Sequence, residues 1–185
     1  LTEFVRINGG LSLDTHETNY FRFAMKDLYL RLHAVESPTK LTLNTWMIAD
    51  PYARNCPIGL EYTNDLDEST EAHHHLDALD FLCSLPSGAF DAVIFDPPFS
   101  EYQAARYEVG TANIYTTPGA IKMQMCEIER ILKPGGFMLK FGFNTSRHKH
   151  HFDLMRVIVV NHGGNHNDTL VSLWRKSNHN LGEWD

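Results

Sequence analysis

Apolar positions along the chain change spacing several times, and the changes divide it into elements. Over 15–35, Tyr20, Phe21, Ala24, Leu28 and Leu32 recur at three- and four-residue spacing, with Arg22, Lys26, Asp27 and Arg31 between them. That pattern predicts an amphipathic helix, broken by Ser37-Pro38. Residues 1–14 carry no periodic signal beyond the turn at Asn8-Gly9-Gly10. Trp46-Met47-Ile48-Ala49 reads as a short buried strand, 61–65 as a second, and the apolar run 90–95 as a fully buried third. A short helix is predicted over 78–85 and stopped by Pro86-Ser87-Gly88. A longer helix is predicted over 120–132, with Ile121, Met125, Ile128, Ile131 and Leu132 as its buried stripe. Lys133-Pro134-Gly135-Gly136 reads as its C-cap, and a strand follows over 137–141. Two strand-like runs, 155–160 and 169–174, are joined by turn residues and predict a hairpin.

Composition narrows this picture. A chain of 185 residues with 43% hydrophobic and 21% charged residues fits one globular domain. A net charge of −7 argues against a protein held on nucleic acid by bulk electrostatics alone, though not against a local basic surface. Cys56, Cys83 and Cys126 are odd in number and lack metal-ligand spacing, which predicts reduced, mostly buried thiols and a cytoplasmic, intracellular setting. No run approaches the length of a membrane span, so no membrane partner is expected. Leu1 in place of methionine fits a processed start, a trimmed one or a fragment boundary.

The chemistry concentrates where strands end. Asp96-Pro97-Pro98-Phe99 closes the run 90–95. Neither proline can donate to a ladder, so a carboxylate, two rigid carbonyls and an aromatic ring are held at a strand tip. Ligands of open α/β sheets bind at such tips. The set suits a flat molecule with an edge amine: carboxylate and carbonyl accept its two hydrogens, and the ring stacks on its face. Acids also end the strands before it, at Asp50 and Asp65, and Asp77 opens the helix over 78–85, where it suits an N-cap. His73-His74-His75 is not expected to hold a metal, because consecutive side chains on a strand point to alternate faces. The stretch 100–117, with Tyr102, Arg106, Tyr107 and Tyr115, is predicted to be an irregular segment beside the site. The stretch 144–152, with Arg147, His148, Lys149, His150 and His151, is the most basic in the chain.

Asp96-Pro97-Pro98-Phe99 resembles the Asp-Pro-Pro-Tyr/Phe/Trp motif of S-adenosylmethionine-dependent methyltransferases that modify exocyclic amines. Ile131-Leu132-Lys133-Pro134-Gly135-Gly136 resembles the turn before the fifth strand of class I methyltransferases. Asp50-Pro51-Tyr52-Ala53-Arg54 is similar to that family's Asp-Pro-Phe-x-Gly-x-Gly cofactor loop, with Arg54 and Cys56 standing where it has glycines. Three readings of that departure stay open. The loop takes another path, Arg54 itself contacts the cofactor's carboxylate, or cofactor binding has been lost.

The resemblance covers roughly 43–176. It implies a Rossmann-like class I methyltransferase fold: a mostly parallel seven-stranded sheet with a C-terminal antiparallel hairpin and helices on both faces. It implies a single domain, with 1–40 as a helical extension, 41–176 as the catalytic core, 177–185 as a tail, and no separate target-recognition domain. S-adenosylmethionine is the implied cofactor, held by Asp50, Pro51, Tyr52, Ala53, Arg54, Asp65, Asp77 and Ala78. Asp96, Pro97, Pro98 and Phe99 would be catalytic, and Tyr102, Arg106, Arg147 and Lys149 would contact nucleic acid. The implied reaction is methylation of an exocyclic base amine, with N6 of adenine in DNA first, in a prokaryotic or viral setting and with a partner protein aiding target recognition. Alternatives are an RNA substrate (guanine N2 or adenine N6) and a methyltransferase-like binding protein without turnover.

Overall fold

The computed structural model describes residues 3–8, 46–55, 61–98, 119–144, 152–161 and 169–177. Six strands form one mixed sheet: β1 (Glu3–Asn8), β2 (Ile48–Ala49), β3 (Phe90–Phe95), β4 (Leu132–Gly142), β5 (Phe152–Asn161) and β6 (Thr169–Lys176). Their spatial order is β1-β5-β6-β4-β3-β2. β6 is antiparallel to both of its neighbours, and the other pairings are parallel. Beyond β2 the sheet continues as two single parallel bridges, Asp50 to Thr63 and Asn64 to His74.

β3 is covered on both sides. Its residues from Ala92 to Phe95 are all fully buried, which explains the uninterrupted apolar run. One row across the sheet is Ala49, Val93, Met138, Trp174 and Leu154, fixed by register. On this face lie α1 (Ala78–Ser84) and α2 (Ala120–Ile131), whose Phe81, Leu82, Met125, Ile128 and Ile131 join Val93, Met138 and Trp174 in one core cluster. Ile94, Leu139 and Leu173 form the next row, on the opposite face, and are just as buried. Each such large side chain contributes about 1.5–3 kcal/mol by leaving water.

Polar contacts fasten the helices. Arg130 of α2 donates through its guanidinium to Ser87 Oγ at 2.8 Å and to the Leu82 carbonyl of α1 at 3.0 Å. Lys176 Nζ donates to the carbonyls of Glu129 at 2.7 Å and Leu132 at 2.8 Å, satisfying groups left over at the C-terminus of α2.

Several expectations change. The seven-stranded description gives way to six strands and two bridges, because the segment expected as a strand over 61–65 pairs through only Thr63 and Asn64. The hairpin is present as β5 and β6, but it does not close the sheet: β1, from a stretch with no periodic signal, lies parallel outside β5. The helix expected over 15–35 falls outside the described residues, and the two described helices share one face. Cys83 of α1 and Cys126 of α2 are free thiols but exposed rather than buried.

Lys133-Pro134-Gly135-Gly136 is not a helix C-cap. α2 ends at Ile131, and Leu132 is already extended, at φ −69° and ψ 138°. Phe90 pairs with Leu132 and Ala92 with Phe137, so the intervening residues bulge out of β4. Gly135 takes φ 74° in this bulge. A Cβ on Gly136 would lie 3.0 Å from the Lys133 carbonyl oxygen and 3.2 Å from that of Asp91. Gly136→Ala is therefore expected to destabilise the fold by about 1–3 kcal/mol, as overpacking against backbone does. Chemical denaturation of the two proteins measures this, and an unchanged midpoint would contradict the close approach.

Candidate active site

The connection order places one crevice in the sheet. From β2 the chain moves outward to Thr63 and Asn64, then to His74, and returns to β3 on the other side of β2. The order therefore reverses between β2 and β3. Ligands of open α/β sheets bind at the carboxyl ends of strands at such a reversal. The residues there are Asp50, directly after β2, and Asp96, directly after β3.

Asp50 has 0% exposure. Its Oδ1 accepts the Tyr52 backbone N–H at 3.1 Å, and its Oδ2 has no hydrogen-bond partner among the described residues. Burial raises its carboxyl from the ordinary 3.8 to about 8; the Tyr52 N–H opposes this, while the charges of Asp96 and Asp65 add to it. Three strand-tip carboxyls thus stand within electrostatic reach of one another. Asp96 is half-buried and Pro97 is buried behind it.

The loop after β2 is held by the second bridge segment. Asn64, which sequence reasoning passed over, is the clamp: its Nδ2 donates to the carbonyls of Pro51 at 3.2 Å and Leu76 at 3.1 Å, and its Oδ1 accepts the Leu76 N–H at 3.0 Å. Ala53 N–H donates to the Asn64 carbonyl at 2.8 Å. A single buried amide therefore ties the loops after two neighbouring strand tips to its own segment. Its only sequence signal is an asparagine beside the strand-ending acid.

Arg54 settles part of the glycine question. It stands at φ 47°, so the loop takes the left-handed path that glycine favours, with a side chain attached. Its backbone N–H donates to Asp65 Oδ2 at 3.1 Å, and its guanidinium lies 3.9 Å from Asp67 Oδ2. Asp65 Oδ1 accepts the Asp67 N–H at 2.9 Å. Asp65 thus organises its own loop with both oxygens, and each oxygen keeps lone-pair capacity for a ligand hydroxyl. Tyr52 turns away from the crevice: its hydroxyl donates to Gln124 Oε1 at 2.9 Å, and its ring packs 6.0 Å from that of Phe95. Asp77 caps α1, accepting the Leu79 N–H at 2.8 Å, with Ala78 buried behind it.

The three histidine rings hold separate positions. His73 Nδ1 meets Thr63 Oγ1, His74 Nε2 meets the Glu61 carbonyl, and His75 Nδ1 meets the Asp65 carbonyl. Among the described residues no group of three metal-ligating side chains comes together. No described helix is long and apolar enough to cross a membrane. Phe99, Tyr102, Arg106, Arg147 and Lys149 lie outside the described residues.

No protein-family model matches the chain, and no curated protein sequence matches it. Solved structures do share its shape. The yhhF protein of Escherichia coli, assigned as a methyltransferase, aligns over 89% of this chain and 88% of its own at 13% identity and a TM-score of 0.51. TrmN from Thermus thermophilus aligns over 82% of this chain and 48% of its own at 17% identity and a TM-score of 0.51. The chain shares the fold of these solved structures. At these identities the likeness is one of fold, and the crevice residues must argue for themselves.

Within this fold the strand-tip acids have measurable consequences. The Asp50 carboxyl is raised on folding, so its protonated form favours the folded state. That contribution is complete below pH about 4 and is lost as pH rises through about 8. Asp50→Asn keeps the acceptor for Tyr52 and removes the titration. Relative to the native chain, the variant is expected to gain stability from about pH 5 to about pH 8, by at most about 1.4 kcal/mol per pH unit. Urea unfolding across that range checks it; parallel curves for the two proteins would contradict it. At position 54, glycine relieves the left-handed strain and valine aggravates it. Arg54→Gly is expected to be more stable than Arg54→Val by at least about 1 kcal/mol in thermal unfolding, and equal stabilities would contradict the φ.

Proposed function

We propose that this chain transfers the methyl group of S-adenosylmethionine to an exocyclic amine of a nucleobase, with N6 of adenine in DNA as the first acceptor to test. The observation that carries the reading is the pairing of Asp50 and Asp96 across the β2/β3 reversal: a buried, unpartnered carboxyl oxygen on the cofactor side and an Asp-Pro-Pro-Phe run on the acceptor side. The methyltransferase fold supports the same cofactor.

The residues present fit it. The orphan oxygen of Asp50 suits a cationic group, and the spare lone pairs of Asp65 suit a ribose diol. Ala53 and Ala78 place small side chains beside the tips, and Asp77 can accept an adenine amine while it caps α1. Arg54 remains the candidate for the cofactor's carboxylate, by exchanging its exposed contact with Asp67, whose carboxyl lies below its ordinary range chiefly through its hydrogen bonds to Ser69. Bound there, the cofactor supplies an electrophilic methyl on a sulfonium.

The chain's own work is to present the amine. Asp96 and the Pro97 carbonyl accept the two amine hydrogens, which turns the nitrogen lone pair toward the methyl. Proline rigidity at 97 and 98 keeps both acceptors in place, so the rate comes from orientation and from negative charge beside the nitrogen as it becomes cationic. Phe99 stacks on the base, which must leave the helix for its amine to be reached. Tyr102, Arg106, Arg147 and Lys149 supply aromatic and phosphate contacts. With a net charge of −7, such local contacts or a partner protein must bring the nucleic acid.

The test is incubation with tritiated S-adenosylmethionine, separation of DNA, RNA and protein, and mass spectrometry of the labelled base. Label at adenine N6 of DNA is expected. Label at guanine N2 of RNA would move the acceptor, and label in none would remove the enzyme reading in favour of a binding protein. Asp96→Ala is expected to lower transfer by about 100-fold or more while leaving cofactor affinity within a few-fold. A large loss of cofactor binding would contradict the role given to Asp96.

A further inference from the structure

Asp50 does more than a fixed negative charge would require. An ionised carboxylate at 0% exposure with one backbone N–H for a partner is costly. Neutralising it removes most of that cost. The described groups acting on it are the Tyr52 N–H, which favours the charge, and Asp96 and Asp65, which oppose it. Among the contacts of the described residues, the Arg54 guanidinium lies 3.9 Å from Asp67 Oδ2, and the His75 ring sits against the Asp65 carbonyl. The unpartnered Oδ2 nevertheless keeps an acceptor site at the strand-order reversal, where a ligand enters.

We propose that Asp50 carries a proton in the ligand-free protein and gives it up when the cofactor's ammonium group arrives, so that binding exchanges a proton for a cation. This rests on the cofactor reading above. The balance is simple: the O–H bond of the Asp50 carboxyl breaks, the carboxylate pairs with the ammonium, and the proton passes to the buffer. Nothing is oxidised or reduced. The exchange also makes the empty crevice tolerable. Three facing carboxylates would otherwise repel one another, and the protonated form removes one of them until the ligand's charge replaces the proton.

Two consequences distinguish this from an ordinary salt bridge. Apparent affinity should rise with pH, by up to about tenfold per unit below the titration near pH 8, and fall again above it as the ligand's own ammonium loses its proton. S-adenosylhomocysteine, which keeps the ammonium and lacks the sulfonium charge, should release the same proton.

The experiment is isothermal titration calorimetry of the native chain with S-adenosylmethionine and S-adenosylhomocysteine. Each is measured at about pH 6.5 and about pH 9 in two buffers of different ionisation enthalpy. Dependence of the heat on buffer gives the protons exchanged. About one proton released per ligand at the lower pH is expected for both ligands, giving way at the higher pH to net uptake, as Asp50 is already ionised and the ligand's amine must gain a proton to pair with it. Asp50→Asn should bind more weakly and release none. Binding with no release at the lower pH overturns the exchange alone, as does release that persists in Asp50→Asn. Release with S-adenosylmethionine but not with S-adenosylhomocysteine overturns the assignment to the ammonium. No binding heat at millimolar ligand overturns the cofactor reading and the exchange together. Should Asp50→Asn fail to fold, the pH series on the native chain decides the matter.

Discussion

Burial of the Asp50 carboxyl follows from where β2 sits. As the strand from which the chain winds outward before returning to β3 on its other side, β2 has partners on both sides, β3 through its own residues and Thr63 through the bridge at Asp50. A side chain at its tip is therefore surrounded by Tyr52, Asp65 and Asp96 rather than by water. The crevice, the acceptor run and the clamped loop all depend on that central position. Asn64 holds the loop in place, and Pro97 and Pro98 stop β3 level with it, so the acids end close enough to influence one another.

The two halves of the crevice use different means of being rigid. On the Asp96 side, rigidity comes from covalent constraint: two consecutive prolines fix the backbone after Asp96. On the Asp50 side it comes from hydrogen bonds. Asn64 bridges Pro51 and Leu76, and Asp65 receives the N–H groups of Arg54 and Asp67. This second half tolerates the unusual Arg54 because the Asp65 contact and the nearby Asp67 carboxylate offset the cost of a left-handed residue. A glycine at position 54 would reach the same path without strain.

Long, strongly patterned elements were legible in the sequence. The buried run of β3, the stripe of α2 and the hairpin of β5 and β6 each carry enough apolar positions to declare a period. Asp50 and Asp96 were legible as strand ends because an acid following an apolar run has few other reasons to be there. β1 was not, since Glu3–Asn8 holds a short mixed sequence whose pairing is decided by β5 and not by its own pattern. Lys133-Pro134-Gly135-Gly136 misled for a related reason. Proline and glycine mark a break in either a helix or a strand, and only the register of β3 against β4 shows that the break is a bulge. Asn64 left no signal because its value lies in two carbonyls contributed by distant loops. The exposure of Cys83 and Cys126 depends on which helix faces meet the sheet, which cysteine count alone does not determine.

The central claim is that the crevice between Asp50 and Asp96 receives the cationic end of S-adenosylmethionine. A crystal structure of the chain with S-adenosylhomocysteine tests this directly. The account predicts the ligand's ammonium within hydrogen-bond distance of Asp50 Oδ2, its ribose at Asp65, and its sulfur facing Asp96. A ligand bound elsewhere on the sheet, or one whose ammonium leaves Asp50 Oδ2 without a partner, would contradict it.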